Sequence, residues 1–183
     1  YQEELNRSMN MLDNPVVWLF RFRHRCGYGV HSPFAFRFLT DVVYERTPFY
    51  AYAELDGRLP WTHRMRRRKG LHLLLRLANW LQPALVVVPE DALYARVYLQ
   101  AGCQKAQMLT EMSADGADMA LIHEPDDQVA SRVRTGGILV MDRLQSHREW
   151  FANLPATLTF DLYDVGVAIY DNRFQKQHFI VNF

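Results

Sequence analysis

Two cysteines in 183 residues, Cys26 and Cys103, are too few for a disulfide scaffold, and their separation is no metal-binding spacing. Both read as inert thiols, although Arg25 adjoins Cys26. A reducing cytoplasm is the expected location. No apolar run approaches the ~18 residues of a membrane span, so no membrane partner is expected. Charge of one sign is also lacking. The formal net charge is +1, which creates no global field for nucleic acid or anionic lipid. Nucleic acid is therefore not an expected partner. The chain carries no P-loop, no zinc spacing and no Ser/His/Asp signature. Glycine is sparse, and none occurs between Gly70 and Gly102.

What is there is enough apolar residue, 49 %, to give a chain of this length one well-buried core. A single domain is expected over 1–183, helical over 1–83 and α/β over 84–183. Leu5, Met9, Leu12 and then Val16, Val17, Leu19 and Phe20 recur at helical spacing, interrupted at Asp13-Asn14-Pro15. His31 reads as a core or capping histidine. Ser32 followed by Pro33 predicts a helix start, and the helix should reach about Glu45. Phe49, Tyr50, Tyr52 and Trp61 mark an aromatic connecting segment. The basic run Arg64 to Lys69 reads as a solvated loop before a buried helix over 70–81. In that helix His72, Arg76 and Asn79 form a polar stripe on one face.

The continuous β-branched run 84–88 predicts a strand buried on both faces, as in a parallel sheet. Helices are expected over 91–101, 128–134 and 147–153. Strands are expected over 107–110, 118–122, 138–141, 160–170 and 177–183. Asp171 and Asn172 should turn the last two into an antiparallel hairpin. Strands that alternate with helices call for a mostly parallel sheet covered on both faces.

Ala117-Asp118-Met119-Ala120-Leu121-Ile122-His123 resembles the fourth strand of class I S-adenosylmethionine-dependent methyltransferases. Thr135-Gly136-Gly137-Ile138-Leu139-Val140-Met141-Asp142 resembles their fifth. Residues 160–170 with Lys176-Gln177-His178-Phe179 resemble their sixth and seventh. Gly29-Val30-His31-Ser32-Pro33-Phe34-Ala35-Phe36 and Asn79-Trp80-Leu81-Gln82-Pro83 resemble a methyltransferase-like subgroup of Bacteroidetes-type bacteria. The resemblance covers most of the chain. It implies a three-layer, Rossmann-like methyltransferase fold with a C-terminal antiparallel hairpin and an N-terminal helical extension. It also implies S-adenosylmethionine as cofactor.

Two departures argue against that cofactor. The family follows its first strand with a glycine turn that lets the backbone approach the ligand. Here the stretch is Val88-Pro89-Glu90-Asp91-Ala92-Leu93, with no glycine and with a proline that removes an amide donor. The chain then passes almost directly from Thr110 to Asp118, where the family builds the wall against the adenine. The sheet should therefore be shortened, and its bare edge covered by the N-terminal helices or by a second copy of the chain in a homodimer.

The residues left for binding are Glu90 and Asp91 after the first strand, Glu111 after the second and His123 after the third. The resemblance puts Glu111 where the ribose hydroxyls are held. His123, Glu124 and Asp142 are the candidates for a divalent cation, but such an ion needs several converging carboxylates, and no metal is expected. The expected function is that of a methyltransferase-like binding or interaction module with lost or impaired cofactor binding. The alternative is an active methyltransferase on a small molecule or RNA. No catalytic residue is assigned.

Overall fold

The computed structural model describes residues 32–183. The helices expected over 3–25, together with Cys26 and His31, lie outside the described residues. Four helices come first: α1 (Pro33–Phe38), which runs into a π-helical turn (Leu39–Val43), α2 (Tyr50–Arg58), α3 (Trp61–Arg66) and α4 (Arg68–Leu81). Then follow β1 (Leu85–Val87), α5 (Leu93–Gly102), β2 (Gln107–Leu109), β3 (Ala117–Ile122), α6 (Asp127–Ser131) and β4 (Val133–Asp142). A 3-10 turn (Leu144–Ser146), α7 (Arg148–Ala152), β5 (Leu158–Asp161), β6 (Val165–Tyr170) and β7 (Gln177–Ile180) complete the chain.

The seven strands form one sheet in the order β2-β1-β3-β4-β6-β5-β7. Only β6 runs antiparallel to its neighbours. Alternate residues of each strand feed two cores. Val86, Met119, Leu121, Ile138 and Val140 pack under α1, α4 and α5. Val87, Ala120, Ile122, Leu139 and Met141 pack against α6, α7 and the 3-10 turn. This is the α/β layering expected of buried parallel strands.

The start of α1 follows the sequence closely. The Ser32 hydroxyl accepts from the Ala35 amide at 3.3 Å, with Pro33 at the first helical position. Phe34 and Phe38 then stack on Phe174 and Phe160, with ring centroids 4.4 and 4.8 Å apart. The Ser-Pro-Phe motif is therefore a docking device that ties the first helix to the C-terminal strands. The buried Arg76 donates to the carbonyls of Val42 and Val43 at 2.7 and 3.0 Å, and so closes the π turn. Gly102 ends α5 where a Cβ would lie 2.3 Å from the Leu75 carbonyl, so glycine alone allows this approach of α5 to α4.

Five expectations are corrected. The basic run Arg64 to Lys69 is not a loop: it forms the end of α3 and the start of α4, with Arg67 between them. The aromatic segment is not a connector: Tyr50–Arg58 is helix α2, with Leu55 buried. β4 begins at Val133 rather than Ile138, because Gly136 at φ +86° carries an irregular register between β3 and β4. The C-terminal hairpin is real, but its turn lies at Leu162–Asp164 inside the stretch expected as one strand. Tyr163 at φ +81° makes that turn without glycine. Residues 177–180 then pair parallel with β5 rather than antiparallel with β6. The connection between β2 and β3 is as short as expected, holding neither helix nor strand, so β2 ends that side of the sheet. The sheet keeps seven strands because β7 adds one at the opposite side.

Candidate functional site

The parallel strands bring the candidate residues to their carboxyl edge, where open α/β sheets bind ligands. The register pairs Ile122 with Met141, so the next residues, His123 and Asp142, stand side by side. His123 Nδ1 pairs with Asp142 Oδ1. His123 Nε2 meets Asp91 Oδ1 at 3.3 Å, across the end of β1. One imidazole thus bridges the loops that leave β1, β3 and β4. The Asp142 hydrogen bond holds the His123 imidazolium above its ordinary range, aided by the charges of Asp142 and Asp91. Burial and the nearby Arg143 oppose that shift.

Beside this bridge, His147 Nε2 reaches Glu124 Oε2 at 2.7 Å and joins the β3 and β4 connections again. Further along the same edge, the buried Asp161 accepts from Arg148 Nε at 2.9 Å and from the Tyr163 amide at 2.8 Å. Arg148 also donates to the Tyr163 carbonyl at 2.9 Å, which fixes the β5–β6 turn.

The structure brings Asp91, His123 and Asp142 together and leaves out Glu90 and Glu111. Both are exposed, and neither pairs with a described residue. His147 and the Arg148–Asp161 pair were missed in the sequence. A charged residue between the apolar Phe160 and Leu162 was the available signal for Asp161. Also missed was a polar cluster on the helical face. Asp56 Oδ1 accepts from Tyr98 at 2.6 Å and faces His72 Nε2 at 2.8 Å, and Tyr52 stacks on His72 with centroids 3.7 Å apart. Burial pushes the Asp56 carboxyl up, but the hydrogen bonds from Tyr98 and His72 outweigh it and hold the carboxyl low. Burial lowers His72, against the pull of Asp56. The polar stripe of α4 was its signal.

The loop after β1 spends most of its backbone groups within the fold. The Val88 amide is spent on the Leu109 carbonyl at 2.9 Å, Pro89 has no N–H, and the Ala92 amide closes a turn onto the Pro89 carbonyl at 3.1 Å. Arg96 takes the Val88 carbonyl at 3.1 Å. The loop has few backbone donors left to offer an anionic ligand, and every residue in it from 88 to 92 carries a Cβ. Two hollows of about 300 and 430 Å³ lie elsewhere. The first is lined by Pro83, Asp118 and Gly136, at the opposite edge of the sheet, and the second by Leu55, Val97 and Gln100. Among the described residues, no group of three or more His, Cys, Asp or Glu is placed to hold a metal ion. Both nitrogens of His123 already face carboxylates. No helix among the described residues is long and apolar enough to cross a membrane.

No known family model matches the chain. No curated protein matches it either.

Proposed function

We propose that this chain is a methyltransferase-like protein that has lost S-adenosylmethionine binding and serves as a non-catalytic binding or interaction module. The observation that carries the reading is the Asp91–His123–Asp142 bridge. It spans the strand ends where the resemblance would seat a cofactor, and it spends on one another the side chains that could have held it. The glycine-free loop after β1 supports the same reading, as does the short β2–β3 connection. Each removes a different wall of the binding site.

A melting experiment with S-adenosylhomocysteine tests it. A ligand at a hundredfold its dissociation constant adds about 2.7 kcal/mol to stability. For a chain of this size that raises the midpoint by several degrees. The expected shift at millimolar ligand is nil. A rise of several degrees would show an intact cofactor site and end the proposal.

A further inference from the structure

The carboxyl-edge loops answer their charges internally, whereas two arginine side chains of the α3–α4 corner, Arg64 and Arg67, pair with no described residue. Arg64, Arg66, Arg67, Arg68 and Lys69 fall within six residues. They form no loop: α3 ends at Arg66, α4 starts at Arg68, and Arg67 alone separates them. Within α3, Trp61 and Arg64 are three residues apart and share one helical face. Trp61 is 73 % exposed. Arg64 and Arg67 are exposed, and neither side chain forms a hydrogen bond or ion pair with a described residue. Arg68 reaches Asp56 only at 3.5 Å, with its side chain 56 % exposed.

An arginine fork matches a phosphate bidentately, which a lysine-rich lipid-facing surface does not require. An exposed tryptophan beside those forks offers a stacking face for an unpaired base. A duplex keeps its base faces covered by their neighbours. At physiological salt, charges more than about 8 Å apart are largely screened, so the corner acts through its own charge and not through the near-zero total. We propose that the α3–α4 corner docks single-stranded nucleic acid, with Arg64, Arg67 and Arg68 on successive phosphates and a base stacked on Trp61. This holds whether or not the carboxyl edge takes a cofactor.

The test is fluorescence anisotropy of the full chain with a labelled single-stranded RNA of about 12 nucleotides, titrated over a range of salt. Three phosphate contacts give a log–log salt slope of about −2, a loss of about 20-fold in affinity between about 50 and 200 mM salt. Replacing both arginines that have no described partner, R64A/R67A, should make the slope shallower by about 1.4. W61A should weaken binding about five-fold or more and leave the slope alone. K105A, at an exposed cation in the turn after α5, should change neither. Three results would overturn the proposal: no saturable binding at the lowest salt, R64A/R67A binding with wild-type slope and affinity, or tighter binding to phosphatidylserine vesicles than to RNA.

Discussion

Two charged regions of this molecule do opposite things with their charge. At the carboxyl edge Asp91, His123, Asp142, Glu124, His147, Asp161 and Arg148 pair with one another across strand ends. At the α3–α4 corner Arg64 and Arg67 pair with nothing described. Charges that are answered within the fold hold loops in place and leave little for a ligand. Charges left outward contribute little to the fold and remain available to a partner. The place where the fold would bind a cofactor is thus the region that has turned inward.

That contrast is broken most strongly at Asp161. Its side chain is only 4 % exposed, and Arg148 is its charged partner. Arg148→Met strands a buried carboxylate, and urea denaturation should show a loss of about 2 kcal/mol, below the 3–5 of a fully buried pair because Arg148 is itself partly solvated. A wild-type midpoint for this variant would mean that the edge pairs are ornamental.

The next effect depends on pH. The folded pKa of His123 lies above its unfolded value, so the bridge stabilises fully below about pH 6.5 and fades as pH rises through the folded value. His123→Gln should therefore cost about 1–2 kcal/mol near pH 5.5 and clearly less near pH 9. A cost that does not change with pH would show that the imidazole holds the loops by packing and not by charge.

The smallest effect sharpens the other side. R64A/R67A should leave the unfolding free energy within about 0.5 kcal/mol, as for exposed charges without partners. A larger loss would move these arginines into the scaffold and out of the proposed docking surface.

Much of the fold was legible in the sequence because its central strands are continuous apolar runs and its helices carry clear stops. The run 84–88 and the Ser32-Pro33 start both appear where local chemistry puts them. The misses share one cause: long-range contacts overrode local signals. Residues 50–58 lack a strong apolar stripe and fold as helix with Leu55 packed in the core. The β5–β6 turn needs no glycine because Asp161 and Arg148 hold Tyr163 at positive φ. Residues 177–180 alternate like a hairpin strand, yet Phe179 stacks on Phe160 and draws them to the far side of β5. In the site, Asp91 and His123 were legible as strand-end residues. That they answer one another follows from the β3–β4 register and the position of the β1 loop, which no local pattern encodes.

We propose that the carboxyl edge is closed to S-adenosylmethionine. Isothermal titration calorimetry of the full chain with S-adenosylmethionine tests it most directly. The expected result is no binding heat up to millimolar ligand, and a saturable isotherm in the micromolar range would contradict it.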